Sequence, residues 1–243
     1  EGFRFYRTTP GASPLGRLPV LNQVAVIADT RRRLDEVIEQ ERPNLLHAHS
    51  PALNGVAAVL AARRHRLPLV YEMRASWEDA AVDHGTTTEG SLRYRLSRRL
   101  ETWVLRRADA VTTICEGLRQ DILARGIPAE KVTVIPNAVD IERFPLITEV
   151  DAELRRRLGL EGAFVLGFLG SFYGYEGLEL AVEAMPLILR ELPNAKLLLV
   201  GGGREEPRLK EQVARLRLES HVLLVGRVPH DEVERYYGLV DLL

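Results

Sequence analysis

The sequence predicts an α/β protein, a doubly wound parallel sheet in two Rossmann-like halves. Two observations carry that expectation. Apolar runs of strand length alternate with stretches whose apolar residues recur at three- and four-residue steps, the period of a helix with one buried face. The alternation breaks between Pro136 and Pro145 and then resumes, which divides the chain in two.

The most legible unit is 164–203. Its first apolar run (Val165, Leu166, Phe168, Leu169) breaks at Gly170, and a short Gly/Tyr/Ser loop leads to a helical pattern from Gly177. Leu178, Ala181, Val182, Met185, Leu189 and Leu192 give that helix one apolar face, and Pro186 inside it predicts a kink. Pro193 and Asn194 end the helix, and a second buried run over 196–200 closes with Gly201, Gly202 and Gly203. Strand, helix and strand with short joints make a right-handed parallel crossover. Ligands of such sheets sit where strands end and helices begin, because free N–H groups at a helix N-terminus favour anions. The loop 170–176 is therefore a candidate phosphate site, although most crossovers also need a glycine there for steric reasons.

The remaining elements follow in order. Helix 21–41 has Val24, Ile27, Leu34, Val37 and Ile38 as its buried stripe. Strand 45–48 ends in His49, Ser50 and Pro51; an Ala-rich helix over 54–66 and strand 69–73 come next. A polar loop 86–90, a long helix 91–107, strand 110–114, helix 116–125 and strand 132–135 complete the first half. The second half opens with a polar helix 151–158. After the glycine run it continues with helix 205–218, strand 222–225, loop 226–230 and helix 231–237. The halves are 1–140 and 141–243. Residues 3–7 alternate like a strand, 8–19 read as a loop, and 239–243 begin a new buried run. Both ends are expected to be cut from a longer protein, so that both halves are incomplete.

Composition excludes several classes. With 46% hydrophobic residues over 243 positions the chain is globular with ample core. A net charge of -1 gives no reason to expect nucleic acid. The single cysteine, Cys115, rules out an internal disulfide framework and suits a reducing compartment, so a cytoplasmic location is expected. No apolar run approaches the roughly 18 residues of a membrane span.

Six segments in order, HAHSP, LRRADAVTTICEGL, VIPNAVDIERF, GFLGSFYGYEG, KLLLVGGG and LVGRVPHDEVERYY, resemble the retaining nucleotide-sugar glycosyltransferases of family four. The run RASWEDAAVDHG is similar to the branch associated with exosortase systems and exopolysaccharide synthesis in Gram-negative bacteria. The resemblance implies a GT-B fold, two Rossmann-like domains with the active site in the cleft between them. It implies transfer of a sugar from a nucleoside diphosphate to the hydroxyl of a glycan or lipid-linked acceptor. The donor pyrophosphate would meet Gly170, Ser171, Glu176 and Gly177, and the base would meet the loop of Gly226, Arg227, Val228 and Pro229. The glycine run Gly201 to Gly203 would lie beside the nucleoside, where a missing Cβ permits close approach. No cofactor and no metal are expected, because arginine, lysine and helix N-termini can neutralise the leaving diphosphate.

The chain also departs from the family pattern. Ser171 and Glu176 stand where the family carries an arginine and a lysine, which leaves Arg204 and Arg227 as the nearest cations. The Gly-rich loop that opens the family's first domain is absent, and its glutamate pair would fall beyond Leu243. The chain alone is expected not to complete the reaction. The alternatives are a non-catalytic relative that binds a nucleotide or a partner, and a sugar-nucleotide epimerase on the same fold.

Single residues carry two readings each. His47 and His49 share a strand face. A metal site there needs a third ligand, and none stands at a telling spacing. His49, at the strand end, is the candidate catalytic or acceptor contact; the plainer reading is a packed, hydrogen-bonded histidine. Glu72, Arg74, Trp77, Glu78 and Asp79 follow the next strand as an acceptor-side rim, or as a solvated loop with Trp77 packed beneath it. Helix 91–107 sets Arg95, Arg98, Arg99 and Arg106 around Leu92, Leu96, Leu100, Trp103 and Val104. That pattern fits peripheral contact with anionic lipid at the inner membrane surface, or a buried stripe under a solvated basic face. Cys115 opens a helix, as a small capping residue or, less simply, as a thiolate. Asn137 and Asp140 mark the hinge between the halves, where short polar side chains fix a turn.

Overall fold

The structure is a computed structural model that describes residues 4–8, 21–142 and 150–243. Contacts divide the chain into two compact units, Glu1–Ala138 and Val139–Leu243, each with its own parallel sheet.

The first unit runs α1 (Leu21–Glu41), β1 (Leu46–His49), α2 (Ala52–His65), β2 (Leu69–Met73), α3 (Trp77–Asp83), α4 (Leu92–Arg107), β3 (Ala110–Thr113), α5 (Glu116–Ala124) and β4 (Val132–Val134). The strands pair in the order β1-β2-β3-β4, all parallel. Alternation along the strands builds the core. Leu69, Tyr71 and Met73 of β2 and Val111 of β3 are buried with Val104 and Leu105 of α4 and Ile122 of α5. The alanines of α2 let it press close. At Gly55 even a β-carbon would lie 2.6 Å from Val104 and 2.7 Å from the Tyr71 ring.

Several expectations change here. Residues 4–8 form no strand; Arg4 and Tyr6 instead bond the Glu41 carboxylate at the end of α1. Residues 9–19 lie outside the described residues. Val24 is exposed, since it is Leu34 and Ile38, in the second half of α1, that pack into the core. A helix, α3, replaces the expected loop after β2. Glu78 and Asp79 in its first turn suit the positive end of the helix dipole. Glu78 is buried there against Arg125 at 2.6 Å, each side chain only 1% exposed. Asp121 and Arg98 complete this ion cluster.

In the second unit, α6 (Ala152–Arg157) is followed by β5 (Phe164–Ser171), α7 (Leu178–Glu191), β6 (Ala195–Gly202), α8 (Glu206–Arg215), β7 (Val222–Gly226) and α9 (Val233–Tyr237). Its sheet has the order β5-β6-β7, parallel throughout. Side-chain alternation on β6 feeds two cores. Leu197 and Leu199 join Leu178, Val182 and Met185 of α7 and Leu209 and Val213 of α8. Leu198 and Val200 face the other way, with Leu154 of α6 and Tyr236 of α9. Helices thus cover both faces. Asp151 caps α6 by accepting from the Leu154 N–H at 2.8 Å and holds Arg235 of α9 at 2.7 Å. Pro186 sits inside α7, which is assigned as one helix through that position. Leu242 makes a parallel bridge to Leu166, while Leu242 and Leu243 are exposed rather than buried.

Glu101, buried in α4, accepts a 2.6 Å hydrogen bond from the Tyr71 hydroxyl. Burial holds the Glu101 carboxyl above the usual carboxylate range, and burial likewise raises the Tyr71 phenol. A raised carboxyl means that the folded chain keeps a proton the unfolded chain has released. Its contribution to stability is therefore full below the ordinary carboxylate range and is lost as the pH rises through the folded value. Glu101→Gln keeps an acceptor for Tyr71 but cannot ionise. Its melting temperature relative to the native chain is expected to climb as the pH rises above the ordinary carboxylate range. A constant or falling difference in a thermal-melt series would show that Glu101 does not carry this term.

Candidate functional site

In the second unit the strand ends enclose a cavity of about 290 Å³. β5 contributes Leu169, Gly170 and Ser171, β6 contributes Val200, Gly201 and Gly202, and the loop after β7 contributes Arg227 and Val228. Val233 and Tyr237 of α9 complete the lining. Gly170 pairs with Gly201 and Ser171 with Gly202 in register, so the floor is largely backbone. Gly201 has φ +136°, and a β-carbon on it would sit 1.8 Å from the Gly170 carbonyl oxygen. One on Gly203 would sit 2.4 Å from the Phe172 carbonyl oxygen. These two glycines are therefore required by the neighbouring strand exit, whatever the cavity holds.

Arg227 lies across Gly202, its Cγ and Nε both 3.3 Å from where a β-carbon would be. The Glu206 carboxylate approaches the same point at 3.2 Å and is paired with Lys210 at 2.7 Å. Arg227 is exposed, and among the described residues no carboxylate pairs with it. It is the cation that lines the cavity.

Of the expected donor-side residues, Gly170, Ser171, Gly201, Arg227 and Val228 line this cavity, whereas Glu176, Gly177, Gly203 and Arg204 do not. Glu176 is exposed in the 3-10 turn Gly174–Glu176. Gly177 opens α7 in the left-handed conformation, φ +72°. Arg204 is exposed in the turn before α8. On the loop between β5 and α7, Tyr173 and Tyr175 stack with ring centroids 5.4 Å apart.

In the first unit the ends of β1 and β2 gather a second group. His47 and His49 stack on one strand face with centroids 4.6 Å apart. Glu72, the register partner of His49, brings its Oε2 to 3.1 Å from His47 Nε2 and 3.6 Å from His49 Nδ1. Arg74 Nε stands 3.5 Å from the other carboxylate oxygen, and the Arg74 N–H donates to Ser50 Oγ at 3.2 Å. The third donor to this histidine pair comes from the neighbouring strand, where sequence spacing does not show it. Glu78 is not part of the expected rim, because burial commits it to Arg125, and Trp77 is 48% exposed instead of packed underneath. Cys115 is exposed at the start of α5 and makes no side-chain cap. Asn137 and Asp140 flank the division between the units, and Asp140 accepts from the Glu142 N–H at 3.1 Å in a local turn.

Residues 1–138 match the model of the glycosyl transferase 4-like domain, and residues 150–243 match that of glycosyl transferases group 1. The chain belongs to the glycosyl transferase 4-like family. Among curated relatives of this glycosyl transferase 4-like chain, the 2-deoxystreptamine glucosyltransferase of Streptomyces kanamyceticus is 28% identical over 77% of the chain and 49% of the relative. A GDP-mannose-dependent phosphatidylinositol monomannoside mannosyltransferase of Mycolicibacterium smegmatis is 26% identical over 56% of the chain and 35% of the relative. The chain thus spans about half, or less, of the length of these curated relatives. The structure of Anabaena HepE in complex with UDP superposes with a TM-score of 0.69 at 22% identity, over 92% of this chain and 57% of that one. The fold is GT-B, two Rossmann-like parallel-sheet domains.

Sequence reading missed Leu169, Val200, Val233 and Tyr237 as cavity residues. The doublet Tyr236–Tyr237 near the end of α9 was the available signal: Tyr236 is buried, and Tyr237 faces the cavity. The close approach of the strand exits is testable. Gly201→Ala is expected to cost about 3 kcal/mol or more in urea unfolding, from backbone overlap and an unfavourable φ together. Gly202→Ala, which meets only movable side-chain ends, should cost less than about 1 kcal/mol. Equal losses at the two positions would refute this account.

Proposed function

We propose that the chain is part of a retaining glycosyltransferase that moves a sugar from a nucleoside-diphosphate donor to the hydroxyl of a glycan or lipid-linked acceptor. The cavity over the ends of β5, β6 and β7, with Arg227 on its wall and, among the described residues, no carboxylate paired to it, carries the reading. A backbone-floored pocket at the C-terminal edge of a parallel sheet suits a nucleotide, and one exposed guanidinium suits its phosphates. The named relatives support a sugar-nucleotide donor, since one is a GDP-mannose-dependent enzyme and a structural neighbour was solved with UDP. In this reading Ser171, Glu176 and Gly177 flank the diphosphate, Arg227 and Arg204 supply positive charge, and Val228 adjoins the base. No metal takes part in holding the donor.

His49, with Glu72 and Arg74, is assigned to the acceptor side, and an envelope glycan or exopolysaccharide is the product class. Peripheral contact with anionic lipid at the inner face of the membrane fits α4. There Leu92 and Leu96 are 74% and 54% exposed beside Arg95 and Arg99, and among the described residues no helix is long and apolar enough to cross a membrane. Glu176 and Ser171 favour a second reading, a relative that binds a nucleotide or partner without catalysis.

Calorimetric titration of the chain with UDP and with GDP, in the presence of a chelator, tests the donor site and identifies the base. Micromolar binding of one nucleotide is expected, weakened about tenfold (about 1.4 kcal/mol) by Arg227→Ala. Glu176→Lys should tighten it if that residue adjoins the diphosphate. If neither nucleotide binds the native chain or the Glu176→Lys variant, the donor-site assignment fails.

A further inference from the structure

We propose that His47, His49 and Glu72 form a binding site for a divalent cation of the zinc class, independent of the nucleotide cavity. Their ligand atoms, two imidazole nitrogens and one carboxylate oxygen, all lie within 4.8 Å of one another. Three donors at metal–ligand distances near 2.1 Å in a tetrahedron stand about 3.4 Å apart. The Glu72 Oε2 distances of 3.1 Å to His47 Nε2 and 3.6 Å to His49 Nδ1 bracket that value.

The arrangement is set by the backbone. Strand period two puts both histidines on one face of β1, and parallel register puts Glu72 directly beside His49. The Ser50 N–H donates to the Glu72 carbonyl at 2.9 Å and Ser50 Oγ accepts from the Arg74 N–H, which ties the two strand ends together. Arg74 Nε stands over Glu72 Oε1 and leaves Oε2 turned toward the imidazoles, the role of an outer-shell partner that orients a ligand.

The donor set selects the ion. Two imidazoles and one carboxylate suit zinc and its first-row neighbours, whereas magnesium and calcium prefer oxygen ligands. The histidine side chains are 43% and 49% exposed, so an ion has access from solvent. Three protein ligands with one open position is the arrangement that leaves a bound water or an incoming oxygen in contact with the metal.

The probe is cobalt(II), followed by zinc(II) competition, on the intact tag-free chain at neutral pH. The expected result is one cobalt per chain with the intense visible bands of a four-coordinate ion, displaced by zinc and unaffected by excess magnesium. His49→Ala should abolish the bands, and Glu72→Gln should weaken binding about tenfold or more. All three side chains are at least partly exposed, and circular dichroism of each variant checks that it folds. The more conservative His49→Gln repeats the test should the alanine variant misfold. Absence of a four-coordinate spectrum at saturating cobalt, or affinity unchanged by Glu72→Gln, overturns the proposal. Nucleotide binding measured with chelator present is unaffected by either outcome, so this site and the donor site stand or fall separately.

Discussion

The second unit depends on how closely two strand exits can pass. β5 and β6 remain paired to their last residues, and the chain leaving β6 then runs against the Phe172 carbonyl. Only residues without a β-carbon fit at Gly201 and Gly203. The Glu205 N–H then donates to the Phe172 carbonyl at 3.3 Å and carries the chain into α8. One consequence is chemical. A cavity floored by paired backbone offers little side-chain selectivity of its own, so discrimination falls to the rim, to Ser171, Arg227, Val228 and Tyr237.

A comparable constraint in the first unit is electrostatic. Glu78 and Arg125 are both withdrawn from water, which costs several kcal/mol per ion before any attraction is counted. Two further charges, Asp121 at 2.8 Å from Arg125 Nε and Arg98 at 3.5 Å from Glu78, complete the compensation. Such a cluster need not add net stability, but it fixes geometry. It ties the start of α3 to α4 and α5, and so limits where the short connection after Arg74 can run. Glu72 and Arg74, at the end of β2, are held by the sheet on one side and by this anchored helix on the other.

Local pattern made much of the architecture legible. β2 and α1 fall where period two and period 3.6 place them, and Ser91 and Asp151 cap their helices through side-chain oxygens. Relations across the sheet were not legible. Nothing near His49 in sequence marks Glu72, because parallel register is set by the intervening crossover and not by local spacing. Gly201 and Gly203 read equally well as ligand-facing or strand-facing until the Gly170 and Phe172 carbonyls are in place. α4 shows the limit of periodicity in the other direction: Leu92 and Leu96 continue the apolar stripe of Leu100 and Val104, yet among the described residues nothing covers them.

The charge balance at the cavity bears on the choice between the proposed enzyme and the proposed binder. Glu206 is offset by Lys210, and among the described residues no carboxylate pairs with Arg227 on the wall. Glu176 is exposed outside the cavity, where solvent and salt screen it over about 8 Å, so its repulsion of a bound diphosphate is modest. The first turn of α7, beginning after Gly177, adds partial positive charge of about half a unit from its free N–H groups. Sugar transfer asks for more, because negative charge grows on the leaving diphosphate as the glycosidic bond breaks, and only interactions that strengthen at that moment accelerate the step. In the reading proposed above, with Ser171 in place of a fixed cation, that increment would fall to Arg227, the cation that lines the cavity.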